Sequence, residues 1–560
     1  MSVSNLPGTR KTPRGVAANP DLAAQSVADY AAVQGRRTNG LAVRGILLAL
    51  LVGAGLVAIG AIPRLSVTPM ALSPALSLAI LAAFALFVAL WRYPGSALPI
   101  TFGAACLLEA QPLHYTDSLT DAVPFFWNVN TIFQVYAHVN LKAVPVSLME
   151  VVLLAAGLFS LLQSVLGRRV KMTLGTPVIY VPMLTYAAFV LWGFVNGLSQ
   201  GGDFKLALQE TRAQFYFVLL YFMTVNLVKD RAQIRRLLWT LAGAMAIKSA
   251  IYVFRRYITL GSLPLPDGGV GSHEEAFLFD CAFVLALCLS LCETNPRLQR
   301  FLWIMMPLIA LGNLATNRRA GTAALFIAFP ILLLAVARSI PRRRAAAVKV
   351  GVTVAVIFAV YYPLFKNSNS IFALPARSLR SQFNPDERDA SSNAYRDAEN
   401  ANLMATIRVA PWLGYGYGRR FLHVAVIANI SEIYEWWDLL PHNQILWVWM
   451  RVGSFGYFAF WFMFGGIMIH ACFTVRRSDA DPFVKAVALN GLLVTVMLLL
   501  FGLLDLQLSN FRSMIVGAVC AGLVSAVAPE TMLLPRRAVR VRDGAGALFA
   551  GDVRVSGEGA

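Results

Sequence analysis

Between residues 45 and 528 the chain returns repeatedly to apolar runs about as long as a bilayer is thick. A helix that crosses the hydrocarbon core needs roughly 17–25 mostly apolar residues. In lipid every backbone N–H and C=O must be satisfied inside the segment, so runs of this kind form helices. Fourteen candidate spans are read at 45–63, 72–91, 95–110, 145–166, 176–198, 206–228, 237–254, 276–292, 301–316, 320–338, 347–365, 444–472, 486–504 and 508–528. The third and ninth are short. The fold expected is all-α: a polytopic transmembrane helix bundle of about 12–14 spans with one long extracytoplasmic loop containing short helices.

Composition agrees. Hydrophobic residues make up 58% of the 560, and charged residues only 14%, against roughly a quarter in a soluble domain. A secreted disulfide scaffold, a disordered regulator and an ordinary cytosolic enzyme are excluded. All six cysteines fall in or beside apolar runs, so no disulfide framework and no metal site is expected. The formal charge is +19. Such an excess can signal nucleic-acid binding, but here the basic residues sit between apolar runs and read as topological anchors. No nucleic-acid partner is expected, and no cleavable signal peptide.

The distribution of those anchors orients the bundle. With the N-terminus in the cytoplasm, the inside segments carry 29 Lys and Arg and the short outside loops eight, as the positive-inside rule requires. Both termini are then cytoplasmic. The expected organisation is a disordered tail over 1–43, a transmembrane bundle of eleven spans over 44–365, and a large extracytoplasmic loop over 366–443. Three more spans follow over 444–530, then a basic cytoplasmic tail over 531–560. The loop has eight basic and eight acidic residues, Glu399 among the latter. Within it, Tyr395 to Ala410 has the spacing of an amphipathic helix, with Tyr395, Leu403, Met404 and Ile407 near one face and Pro411 ending it. Trp412, Trp436 and Trp437 suit a loop resting on the membrane interface.

Ionisable groups at membrane depth are costly, so each is a functional candidate. Gln209, Glu210 and Arg212 lie near the outer end of the sixth span, and Gln209, Arg212 and Tyr216 share a face. Arg212 is positioned to meet an anion; the plainer alternative is a packing pair of Glu210 with Arg212. Arg318 and Arg319 stand at the outer mouth of spans nine and ten, where the positive-inside rule disfavours them. Thr316 or Asn317 is expected to cap the helix that follows. A helix N-terminus beside two guanidinium forks suits a diphosphate, although an interfacial anchor pair is the bland alternative. Lys248, inside the seventh span and on the same face as Arg255, could snorkel outward, although a plain structural role is the favoured alternative. Asp505 ends the thirteenth span and can orient a partner Arg or His.

The sharpest feature is Pro441-His442-Asn443-Gln444 at the opening of the twelfth span. Pro441 marks a helix start and puts His442 in the first turn, where the helix dipole disfavours the imidazolium. A neutral imidazole is what a general base needs. Gly453 and Gly456 would let another helix approach closely. The other histidines, His273 included, read as structural. Upstream, Gly414-Tyr415-Gly416-Tyr417-Gly418 reads as a tight backbone turn that seats the loop against the bundle.

Taken together, these parts resemble the O-antigen ligase and O-antigen polymerase superfamily of integral-membrane glycosyltransferases. The resemblance is carried by Pro411-Trp412-Leu413-Gly414-Tyr415-Gly416-Tyr417-Gly418, then His442-Asn443-Gln444-Ile445-Leu446 running into Gly453-Ser454-Phe455-Gly456, and by Asn317-Arg318-Arg319-Ala320-Gly321. It is strongest over about 200–460. It implies transfer of a glycan from a polyprenyl (undecaprenyl) diphosphate carrier to an acceptor hydroxyl on a glycan or a lipid core. The transfer would occur at the outer face of the cytoplasmic membrane, without cofactor, nucleotide or metal, and with inversion. In that scheme His442 takes the acceptor proton, and Arg212 with one of Arg318 and Arg319 holds the diphosphate. Asn443, Gln209, Tyr216, Lys248 and Asp505 would be supporting residues. The competing class is a flippase for lipid-linked oligosaccharide, which would place its charges near mid-membrane rather than at the outer edge.

Overall fold

The computed structural model describes residues 85–109, 120, 123–132, 146–165, 172–261, 269–368, 370–432, 436–477 and 481–527. The two tails expected at 1–43 and 531–560, the span at 45–63 and most of that at 72–91 lie outside the described residues.

The described chain is helical, without a strand among the described residues. Its α-helices are α1 Ala97–Leu107, α2 Leu148–Val165, α3 Pro177–Ser199, α4 Phe204–Leu227, α5 Arg231–Phe254, α6 Glu275–Leu291, α7 Pro296–Ala315, α8 Arg319–Ser339, α9 Arg344–Phe365, α10 Leu374–Phe383, α11 Glu387–Val409, α12 Gln444–Arg476, α13 Pro482–Leu504 and α14 Phe511–Ala526. Every expected span from the third onward has its helix. Among the described residues seven helical segments are long and apolar enough to cross a membrane. The protein is an all-α, polytopic membrane helix bundle.

Local chemistry sets several boundaries. Asp203, Asp230 and Asp481 cap α4, α5 and α13 by accepting backbone N–H bonds, which satisfies donors that a helix start otherwise leaves open. Pro177, Pro296 and Pro482 open α3, α7 and α13, positions where the missing N–H costs nothing. α13 is the hub: it packs against α6, α8, α12 and α14, while α14 lies along α4 and α12 along α3.

Ion pairs sort the helix ends onto two faces. On one, Arg231 at the start of α5 meets Asp481 before α13 at 3.1 Å. On the other, Arg512 at the start of α14 is bonded to Glu274 and Glu275 at the start of α6. Lys248, toward the end of α5, pairs there with Glu109 and with Glu275. Lys248 therefore does not snorkel. It is fully buried, and a buried ammonium persists only where carboxylates compensate it.

The long loop is helical for much of its length. The amphipathic helix expected from Tyr395 begins eight residues earlier, at Glu387, because Asp386 caps it by accepting from the Asp389 N–H. It ends before Pro411, as expected. α11 then packs on α12, and α10 on α8. That arrangement fixes the cavity described next.

Candidate functional site

The Gly414–Gly418 turn locks the chain between α11 and α12 to the bundle. Gly414, Gly416 and Gly418 have φ of +85°, +84° and +80°, backbone that side-chain-bearing residues rarely adopt. Close approach adds to the need. A Cβ on Gly416 would stand 2.4 Å from the Gly197 Cα of α3. The Tyr415, Gly416 and Tyr417 N–H groups donate to the carbonyls of Met450, Arg451 and Gly193. Gly453 breaks α12 with φ of +69°, and what approaches it is this turn rather than another helix: a Cβ there would meet the Trp412 carbonyl oxygen at 2.3 Å.

A buried carboxylate supports the turn. Glu210 of α4 accepts from the Gly418 N–H at 2.6 Å and from the Trp447 indole at 3.0 Å, and pairs with Arg451 at 2.6 Å. Arg451 in turn donates to the carbonyls of Gly416, Arg419 and Leu439. Glu210 and Arg212 are thus not a pair. Two residues apart on a helix they face different ways, and Arg212 turns to Glu150 of α2 at 3.3 Å and to Asn128. The Tyr216 hydroxyl donates to the same Glu150.

A cavity of about 640 Å³ opens where α8, α10, α11 and α13 meet the start of α12. Arg318, Arg319, His442, Asn443 and Asp505 all line it. Gln209, Arg212, Tyr216 and Lys248 do not. Sequence separates the five by as much as 187 positions; helix packing brings them together. One part of the wall is apolar, from Ala320, Ala323, Leu503 and Leu504, and the last two remain partly exposed on the outside of α13.

His442 lies one residue before the helix cap rather than in the first turn. Asn443 is the cap, and its side chain accepts from the Leu446 N–H at 3.1 Å. His442 is held from behind by Glu399, which is 1% exposed. The Glu399 carboxylate accepts from the His442 backbone N–H at 2.9 Å and lies 3.3 Å from Nδ1. A carboxylate at that nitrogen favours the Nδ1–H tautomer, which leaves the Nε2 lone pair available. Tyr395 packs edge-on to the imidazole with ring centres 5.8 Å apart. Its hydroxyl is pushed up to about 12, by burial first and then by Glu399 and Asp438, so it stays protonated.

A second histidine faces the cavity. His273 Nδ1 lies 2.7 Å from Asp505 Oδ1. Burial alone would raise the Asp505 carboxyl, but His273, Arg318 and His442 outweigh it and hold it well below the usual carboxylate range. Asp505 therefore stays anionic among three potential cations. Arg319 is partly committed: Nη1 donates to Ser381 Oγ of α10 at 2.7 Å and pairs with Asp389 of α11 at 2.9 Å. Arg318 forms no ion pair among the described residues, and its buried Nε lacks a hydrogen-bond partner. Neither Thr316 nor Asn317 caps α8. The Thr316 hydroxyl donates back to the Asn313 carbonyl, Asn317 takes a left-handed φ of +53°, and Arg318 itself stands at the cap position.

Glu399 and His273 are the residues that sequence reasoning missed. Glu399 carried a readable signal, since it lies four residues after Tyr395 and four before Leu403, inside the apolar stripe of its own helix. A carboxylate in that stripe must be compensated from elsewhere. His273 carried no such signal, because its partner lies 232 residues away.

The fold and the cavity define a multi-pass membrane protein with a polar, arginine-rich pocket at one face of the bundle. Residues 304–461 match the model of the O-antigen ligase family, Wzy_C, which places that region in the O-antigen ligase/polymerase superfamily. The matched stretch runs from α7 into α12 and carries Arg318, Arg319, Glu399, the glycine turn and His442. No curated protein matches the chain. The match covers under half of the chain, and at family level it supports an enzyme with a membrane glycosyltransferase-like role, ligase or polymerase.

Proposed function

We propose that the protein transfers a glycan from a polyprenyl diphosphate carrier to an acceptor hydroxyl at the extracytoplasmic face of the cytoplasmic membrane. The observation that carries this reading is the juxtaposition, in one cavity, of a carboxylate-backed imidazole and two adjacent arginines. In the proposed step the acceptor O–H gives its proton to His442 Nε2 while the oxygen attacks the anomeric carbon. The bond from that carbon to the diphosphate oxygen breaks, and the electron pair leaves on the diphosphate. Direct displacement of this kind inverts the anomeric centre. Arg318 and the uncommitted nitrogens of Arg319 stabilise the departing charge, which grows as the bond breaks. The apolar wall of Ala320, Ala323, Leu503 and Leu504 suits the first isoprene units of the carrier.

The Glu399 carboxylate keeps the Nε2 lone pair directed at the acceptor, and Asp505 with His273 sets the charge balance near Arg318. Arg212, held by Glu150 away from the cavity, is given no part in the step. The same holds for Gln209, Tyr216 and Lys248. The position of these charges at one end of the helices, rather than midway along them, favours transfer over a flippase.

The test is to incubate purified protein with a polyprenyl diphosphate-linked glycan and a hydroxyl acceptor and to measure product length. A ladder of products identifies a polymerase and a single addition a ligase. Movement of intact carrier across a vesicle membrane with no new glycosidic bond would overturn the reading.

A further inference from the structure

Six arginines line the cavity, Arg388 among them, and five carboxylates accompany them. Three of those carboxylates are committed, Asp389 to Arg319, Glu399 to His442 and Asp505 to His273. Among the described residues, Arg377 and Arg380 of α10 form no ion pair. Both line the cavity, both are half-buried, and the Nε atom of each is shielded from solvent without a hydrogen-bond partner. Among the described residues, Arg380 makes one polar side-chain contact, a 3.3 Å hydrogen bond from Nη1 to Asn367 Oδ1. The two arginines stand three residues apart on one helix face, where like charges weaken a helix. Stability therefore does not account for them.

The carrier does not account for them either. In the proposed step the diphosphate is met by Arg318 and by the nitrogens of Arg319 that Asp389 and Ser381 leave uncommitted. Guanidinium forks left over on the α10 side of the cavity suit further oxyanions. We infer that Arg377 and Arg380 form a second oxyanion site, which receives an acidic sugar of the glycan, such as the carboxylate of a uronic acid. The glycan handled by the protein is accordingly anionic. This assignment rests on the transfer reading for the identity of the ligand as glycan; the geometry of the two arginines rests on the cavity alone.

The experiment is calorimetric titration of the full chain in uncharged detergent with trigalacturonate, with its carboxyl-reduced neutral counterpart, and with inorganic diphosphate. The wild-type protein is expected to prefer trigalacturonate to the neutral trisaccharide by about ten- to a hundredfold, the worth of one or two charge-assisted hydrogen bonds. The Arg377→Gln/Arg380→Gln variant should lose that preference, and the Lys/Lys variant should recover part of it, which rules out simple misfolding. Diphosphate affinity should fall much further in Arg318→Gln/Arg319→Gln than in Arg377→Gln/Arg380→Gln. Equal wild-type affinity for the acidic and neutral trisaccharides would overturn the inference. So would loss of diphosphate binding in Arg377→Gln/Arg380→Gln as deep as in the other pair, because the α10 arginines would then serve the carrier. A wild-type protein that prefers trigalacturonate yet binds no diphosphate would retain the acidic-sugar site and remove the carrier reading instead.

Discussion

Replacing Glu399 by Gln tests the dyad with little change of shape. Glu399 makes three contacts with His442: Oε2 accepts the backbone N–H at 2.9 Å, and both carboxylate oxygens lie 3.3 Å from Nδ1. Gln keeps an amide oxygen that can still accept the backbone N–H. The NH2 group that replaces the other oxygen cannot accept from Nδ1–H and the negative charge is gone, so the hold on the ring weakens to one shared neutral oxygen and the ring can more readily flip or move its proton to Nε2, away from its role as base. A hydrogen bond to a charged group contributes about 1.5–3 kcal/mol, and the 3.3 Å length puts this one near the lower end. At about 1.4 kcal/mol per decade, kcat should fall about tenfold, and up to about a hundredfold if the wrong tautomer predominates. The donor does not touch Glu399 in the proposed step, so its KM should stay within about twofold. The assay is steady-state transfer from a polyprenyl diphosphate glycan, run as a pH profile together with thermal unfolding. A Glu399→Gln enzyme with wild-type kcat and an unaltered pH profile would refute the orienting role, whatever its stability.

The other predictions concern the cavity wall and the turn. Arg318→Lys keeps the charge and loses the fork, so donor KM should rise about tenfold; an unchanged KM in steady-state assays would make the residue a mere anchor. Gly416→Ala combines left-handed strain with a Cβ 2.4 Å from the Gly197 Cα, and should cost at least about 3 kcal/mol. Gly201→Ala, with φ of +83° and open space around it, should cost only the strain, about 1–2 kcal/mol, and equal losses by thermal denaturation would show that close packing of the turn is unimportant. Asp505 is held well below its usual range, so its stabilisation is complete above the unfolded carboxyl value of about 3.9 and decays as pH falls toward the depressed folded value. Asp505→Asn should therefore be destabilised by about 2 kcal/mol at pH 7. The difference in Tm from wild type should shrink between about pH 5 and pH 3, whereas a gap that widens on acidification would contradict the assignment.

The helices were legible because lipid leaves few options for an apolar run, and the twelve spans from the third onward all have a helix. Parts of the cavity were legible because their signals are local: Arg318-Arg319 opposes the positive-inside bias, and His442-Asn443 opens a helix. Pairings across the bundle were not legible. Glu210 lies two residues from Arg212 and invites that pairing, yet its partners are Arg451, Trp447 and the Gly418 backbone, because a helix turns the two side chains apart. Lys248 looked able to reach water along its own helix, but the carboxylates that neutralise it come from Glu109 and Glu275. Burial in this bundle is set by which helices touch, and hydropathy along one helix carries no record of its neighbours' charges.

The account stands most directly on whether the His442 imidazole is the base in glycan transfer. The decisive measurement is product formation by purified wild-type and His442→Ala protein from the same polyprenyl diphosphate-linked glycan, with donor binding measured in parallel. Wild type should form a new glycosidic bond, while His442→Ala should bind the donor with similar affinity and form essentially none. Transfer by His442→Ala at the wild-type rate would contradict the account.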